Sequence, residues 1–211
     1  MRRLPVYLLV DTSGSMKGEP IAAANNGLQT MIATLKQDPF ALESVCISVI
    51  TFDRDVNEVL PLTELDVLQL PELVTPESGP TLLGKALDVL MRKIDHDIIA
   101  NCPDQKGDWR PLLFVITDGK PSDKALYKEM LEKIKSYKFA AIVACAAGQD
   151  AQTEPLKQLT GHVYSLATMD GASFTQFFKW VSQSIAQRTT KGTGSSNVML
   201  PPPPSEVNMV L

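Results

Sequence analysis

Cysteine and histidine are scarce in this chain, with three and two residues among 211. Cys46, Cys102 and Cys145 are far apart and no C-x-x-C pair occurs, so neither a zinc knuckle nor a thioredoxin-type redox site is encoded. Such cysteine usage fits a reducing compartment. Cys46 and Cys145 lie in apolar runs and are expected to be small buried hydrophobes. Cys102 lies in a polar loop and is expected to be partly exposed. The two histidines fall in poor places for catalysis, His96 late in a charged helical pattern and His162 in a Thr-Gly-His turn. There is no Gly-x-Ser-x-Gly elbow, so a Ser–His hydrolase has no support. A Gly-x-x-x-x-Gly-Lys-Ser/Thr loop is missing, as is a dinucleotide glycine pattern after the first strand.

Positive charge is not in excess either. The formal net charge is −4, which argues against a nucleic-acid binder. No apolar run approaches the ~20 residues of a membrane span. Met1-Arg2-Arg3-Leu4-Pro5 is basic and then apolar, but the run stops at Val10 and passes straight into Asp11, so no signal peptide is expected. A cytoplasmic protein is the expectation. No internal repeat is visible.

Apolar residues make up 44% of the chain, ample for one core. Short apolar runs at 5–10, 44–52, 111–117, 139–147 and 163–166, with a closely following segment at 56–62, predict six strands. Helical spacing predicts helices over 20–36, 82–99, 122–137, 154–159 and 173–187, with Ser122 as the cap of the third. Arg54-Asp55 suits a hairpin turn, which makes the third strand an antiparallel edge. The expected fold is α/β, a doubly wound, Rossmann-like, mainly parallel six-stranded sheet with one antiparallel edge strand and helices on both faces. The domain is expected over residues 1–188. Residues 189–211 are expected to form a flexible Gly/Ser- and Pro-rich tail, with Pro201 to Pro204 favouring polyproline II.

The most informative residues are Asp11-Thr12-Ser13-Gly14-Ser15, directly after the first strand. Positions 11, 13 and 15 supply a carboxylate and two hydroxyls, hard donors of the kind Mg²⁺ prefers. Gly14 is expected to let the chain turn so that they converge. Two more loops deliver oxygens to the same edge of a doubly wound sheet. One is Ser78-Gly79-Pro80-Thr81, ahead of a helix; the other is Thr117-Asp118-Gly119, after the central strand. Together Asp11, Ser13, Ser15, Thr81 and Asp118 offer two carboxylates and three hydroxyls. That set suits six-coordinate Mg²⁺; Mn²⁺ is also compatible, whereas Ca²⁺ usually wants more carboxylates. Singly, each piece also reads as a turn or a helix cap; jointly they are specific. Asp53, after the second strand, reads mainly as a hairpin residue and alternatively as a group supporting the site. A haloacid-dehalogenase-type phosphatase also places Asp and Mg²⁺ after its first strand. Its second carboxylate, two residues on, is here Ser13, which cannot serve as acid or base.

With these three loops, residues 4 to 188 resemble the von Willebrand factor A domain family. The resemblance implies a metal-ion-dependent adhesion site. In it Ser13 and Ser15 ligate directly, Thr81 and Asp118 alternate between direct and water-mediated contact, and Asp11 holds the first loop. Pro80 stands where the family often has glycine, which would stiffen the second loop. Leu8-Leu-Val-Asp-Thr-Ser-Gly-Ser-Met16, with Phe114-Val-Ile-Thr-Asp-Gly-Lys-Pro-Ser-Asp123 and Ser78-Gly-Pro-Thr-Leu-Leu-Gly-Lys-Ala-Leu87, is similar to a bacterial tellurium-resistance (TerY-like) subgroup. That similarity implies an intracellular stress-response scaffold rather than extracellular adhesion, with a protein kinase, a PP2C-type phosphatase and other Ter proteins as partners; the missing catalytic motifs make an enzyme the weaker expectation. A partner's Glu or Asp would fill the metal position facing solvent. Lys17, Glu19, Lys120 and Asp123 are candidate partner contacts, or plain surface charges. Alternatives are an adaptor that docks through the Pro-rich tail, with a purely structural metal, and a Mg²⁺-dependent phosphatase-like enzyme. Phosphorylation of Thr189, Thr190, Thr193, Ser195 or Ser196 could gate docking.

Overall fold

The first strand sets up both halves of the core. In β1 (Leu4–Asp11) every residue is buried, as in a parallel strand covered on both faces. Leu4, Val6, Leu8 and Val10 point into one apolar cluster, while Tyr7 and Leu9 point into the other, the two-residue alternation of a pleated strand. The computed structural model describes residues 2–210 except 77–78, 118–119, 149–150, 167, 169, 192–199 and 205–206.

Around β1 stand β2 (Val45–Phe52), β3 (Val56–Glu64), β4 (Leu112–Thr117), β5 (Ala141–Ala147), β6 (Val163–Leu166) and β7 (Val207–Met209). They form one seven-stranded sheet in the order β3-β2-β1-β4-β5-β6-β7. The five strands from β2 to β6 in that order run parallel. The hairpin strand β3 pairs antiparallel with β2, as its turn predicted. It tolerates Pro61 because an edge strand can dispense with one N–H, and its register with β2 shifts there.

The face carrying Leu8 and Val10 is covered by α1 (Glu19–Leu35), the short α2 (Pro39–Ser44) and α6 (Gly171–Lys191). The other face is covered by α3 (Leu83–Asp97), α4 (Lys124–Ile134) and α5 (Thr153–Leu159). Helix α6 contributes the aromatic block Phe174, Phe177, Phe178 and Trp180, all buried. Helix α1 meets it so closely that a Cβ on Gly27 would lie 2.3 Å from the Phe178 ring. The segment between β3 and α3 follows α1, because Asn25 clasps Leu73 twice, donating to its carbonyl and accepting from its N–H, both at 2.8 Å.

Three expectations change. Sequence reasoning missed α2, which is six residues long and is capped by Asp38, whose carboxylate accepts from the N–H of Phe40 and Ala41. Six strands become seven, because Val207–Met209 pairs antiparallel with β6. The tail is therefore not a free segment in its described parts. Helix α6 runs on to Lys191, Leu200 packs on the core, and the Trp180 indole N–H donates to the Pro201 carbonyl at 2.9 Å. Residues 192–199, with Thr193, Ser195 and Ser196, lie outside the described residues.

The cysteines stand as expected, Cys46 and Cys145 buried and Cys102 exposed. Burial pushes the Cys46 thiol up to about 11, with a smaller opposing effect from Arg3, and pushes that of Cys145 up further. Native protein at pH 8 should therefore give one rapidly reacting thiol with Ellman's reagent, and three after unfolding. Two or three rapid native thiols would contradict this burial.

Candidate metal centre

Strands β1 and β4 are neighbours, with Val10 opposite Ile116, yet the chain leaves them in opposite directions across the sheet. Between them strand order reverses, and the loops after their carboxyl ends flank the crevice where ligands enter such sheets. Asp11 closes that crevice at its base. Its Oδ1 accepts from the Ser13 N–H at 2.8 Å and its Oδ2 accepts from the Thr117 hydroxyl at 2.6 Å. Asp11 and Thr117 are fully buried. The carboxylate thus turns the first loop and ties it to the end of β4, its buried charge met by neutral donors.

After Asp11 the chain makes a single 3-10 turn, Gly14–Met16, with the Met16 N–H on the Ser13 carbonyl at 2.9 Å. Met16 is fully buried and anchors that turn. Ser13 and Ser15 come to one side of it, their hydroxyl oxygens 3.1 Å apart. Gly14 is not the residue whose freedom the loop requires. The positive φ belongs to Gly18, at +86°, where the chain swings into α1 and few side chains could follow.

A second set of contacts supports the first. The Thr12 hydroxyl donates to Asp53 Oδ2 at 2.8 Å, and Asp53 Oδ1 accepts from the Asp55 N–H at 3.0 Å. Asp53 is therefore both things it was read as, a hairpin residue and a support for the metal loop. Its carbonyl also accepts from the Leu82 N–H at 3.1 Å, which draws in the loop bearing Thr81. Thr81 is buried. Its N–H donates to Ser122 Oγ at 3.1 Å and its carbonyl accepts from the Ser122 N–H at 2.8 Å. Ser122 does not cap α4 as predicted; it fastens the Thr81 loop to the loop after β4.

Asp11, Ser13, Ser15 and Thr81 thus share one edge of the sheet. Asp118 lies outside the described residues, as does Ser78; Asp118 follows Thr117 directly. Among the described residues no three His, Cys, Asp or Glu side chains cluster for a metal, so a cation here would depend on hydroxyls. The Ser13–Ser15 spacing fits that. Adjacent ligands of an octahedral Mg²⁺ lie about 3 Å apart, given Mg–O bonds of about 2.0–2.1 Å.

A profile of the von Willebrand factor type A domain matches residues 6–180. The chain belongs to this family. No curated protein is significantly similar to it in sequence. Solved structures share the fold. A von Willebrand factor type A protein from Catenulispora acidiphila is 17% identical, with TM-score 0.66 over 88% of this chain and 43% of that one. The ArnB paralog VWA2 from Sulfolobus acidocaldarius is 17% identical, with TM-score 0.58 over 87% of this chain and 45% of that one. Proximal thread matrix protein 1 from the mussel byssus, in a form with a zinc-occupied MIDAS motif, is 14% identical, with TM-score 0.57 over 89% and 46%. This VWA chain spans less than half the length of each of them.

The other candidates divide. Lys17, Glu19 and Lys120 are exposed around the crevice loops. Asp123 spends its carboxylate within the VWA domain, accepting from the N–H of Gly84 at 3.1 Å and of Lys85 at 2.8 Å, and so caps α3 from the start of α4. Neither histidine reaches the crevice. His96 lies near the end of α3 and His162 just before β6, both at the opposite edge of the sheet.

Proposed function

We propose that this VWA domain is a protein-interaction module in which a divalent cation, Mg²⁺ by preference, is held by Asp11, Ser13, Ser15, Thr81 and Asp118. The observation that carries the reading is the Ser13–Ser15 hydroxyl pair at 3.1 Å on a loop pinned by Asp11. Bound there, the ion would supply a Lewis-acidic position for a carboxylate from a partner's Glu or Asp. Asp11 positions the loop, Thr117 and Asp53 hold it from behind, and Ser122 fixes the Thr81 loop. Pro80 stiffens that loop and narrows its range of positions.

The sequence likeness to the TerY-like subgroup supports placing the module in bacterial tellurium-resistance and stress-response signalling. Its partners there would be a protein kinase, a PP2C-type phosphatase and other Ter proteins, in the cytoplasm, without catalysis of its own. No helix among the described residues is long and apolar enough to cross a membrane. Docking through the C-terminal tail is less well supported, since Val207 is buried against the domain itself.

Isothermal titration calorimetry of MgCl₂ into the protein tests the core of the reading. Ser13→Ala and Asp118→Ala should each lower affinity by about tenfold or more, and Thr117→Val by about tenfold through loss of the hydroxyl that holds Asp11 Oδ2. Circular dichroism should show the fold retained. Unchanged Mg²⁺ affinity in Ser13→Ala and Asp118→Ala would overturn the site.

A further inference from the structure

A groove of about 540 Å³ opens beside the crevice, between α4 and α5. Lys120, Lys124 and Lys128 line it, over a floor that includes Pro121, Tyr127 and Pro155, with two glutamines on its α5 side. The Tyr127 hydroxyl donates to the Pro155 carbonyl at 2.8 Å and so locks the two helices that form the walls. Among the described residues no Asp or Glu lines the groove. Three described carboxylates near the lining residues in sequence are otherwise engaged, Asp123 on the N–H groups of α3, Glu129 with Lys133 and Glu154 with Lys157. Lys124 and Lys128 are exposed, and neither makes an ion pair among the described residues. In a chain of net charge −4, this is a local concentration of positive charge on a built, partly apolar surface.

The groove shares the loop after β4 with the candidate metal centre. Lys120 lies two positions after Asp118, and the same loop carries Ser122, which is bonded to Thr81. A ligand chain that places one carboxylate at the crevice would pass along it. We infer that the α4–α5 groove reads an acidic, extended segment of the protein partner, adjoining the residue that enters the metal centre; this rests on the metal-centre reading above. The spacing sets the pattern. Lys124 and Lys128 are four residues apart on a helix, about 6 Å along its axis. Alternate residues of an extended chain lie about 6–7 Å apart on one face. The preferred partner therefore carries Asp or Glu at every second position. Tyr127 and the prolines favour an apolar side chain in the segment as well.

The test uses fluorescence anisotropy with the full chain and a labelled twelve-residue peptide bearing Glu at alternate positions, with its Gln counterpart as reference. Binding is measured in Mg²⁺ and in EDTA. The Glu peptide should bind and the Gln peptide should not. Lys124→Glu with Lys128→Glu should weaken binding about tenfold in either condition. Lys106→Glu with Lys138→Glu, the same charge change at the opposite edge, should leave it unchanged, and thermal melts of both variants should match wild type. Ser13→Ala should remove only the part of binding that Mg²⁺ adds. Groove-dependent binding that is equal in Mg²⁺ and EDTA would uphold the groove and refute the metal reading. Mg²⁺-dependent binding indifferent to Lys124→Glu/Lys128→Glu would do the reverse. No binding of the Glu peptide would overturn the groove assignment. So would tighter, lysine-dependent binding of a single-stranded oligonucleotide or of anionic vesicles, since the groove would then be a general polyanion surface.

Discussion

Gly84→Ala should destabilise this domain by about 2–3 kcal/mol, although helix propensity alone predicts a gain of about 0.5–1 kcal/mol. Gly84 stands in the first turn of α3, and a Cβ there would lie 2.5 Å from the Tyr127 backbone nitrogen and 2.8 Å from the Tyr127 Cα. Those are backbone atoms of α4 and cannot rotate away, so the helices must separate. The same position donates its N–H to Asp123, so the cap of α3 would be strained together with the packing. Gly27→Ala should behave alike, because Phe178 is held among Phe174 and Phe177 in a filled core. Gly171→Ala gives the contrast. A Cβ there meets nothing within 4 Å, so propensity should decide, with an effect between zero and a gain of about 1 kcal/mol. Urea denaturation of the three variants checks the set. A raised midpoint in Gly84→Ala would mean that α3 and α4 can part without cost. Because these helices carry the Thr81 and Ser122 loops at their starts, Gly84→Ala should also weaken Mg²⁺ binding while Gly171→Ala should not.

The contrast between these glycines marks where sequence reading stops. Strands β1, β2, β4, β5 and β6 are legible because each is an apolar run in its own right, and their parallel order follows from their alternation with helices; β3 is legible from the hairpin turn that follows β2. The first part of the site is legible for a similar reason. Asp11, Ser13 and Ser15 are close in sequence and their convergence is a local turn. What supports them is not local. Thr12 reaches Asp53 across 41 positions and Thr117 reaches Asp11 across 106, so nothing near Thr12 or Thr117 announces the role. Ser122 reads as a cap because serine before a helix usually is one; its tertiary partner, the Thr81 backbone, overrides that preference. Asp123 is similar. As an acid beside a metal loop it reads as a partner contact, yet the neighbouring helix offers two unpaired N–H groups, and a carboxylate within reach of them is drawn there.

The C-terminal strand is the largest departure from the sequence expectation, and removing it should have the second large effect. A chain lacking residues 200–211 should be destabilised by about 2–4 kcal/mol, where a free tail would leave stability unchanged. Val207 is 2% exposed and would be lost from the core. The Val210 N–H bond to the Val163 carbonyl and the Trp180 indole bond to the Pro201 carbonyl would go with it. Composition hides this strand, because prolines and serines precede it and its three residues gain order only against β6. The same prolines give it a second role. With β7 in place, the last strand is three residues long and follows Pro201 to Pro204, which lack N–H groups and cannot extend a ladder. Without it, β6 becomes an uncapped edge with open backbone groups, a template for pairing between molecules. The truncated protein should therefore lose thermal stability and also associate as its concentration rises, which light scattering would follow. Val207→Asp in the full chain should reproduce the loss of stability by placing a charge in the core position. If neither variant lowers the melting temperature, β7 contributes nothing to folding; if both do, the proline run and its strand are part of the domain and close its sheet.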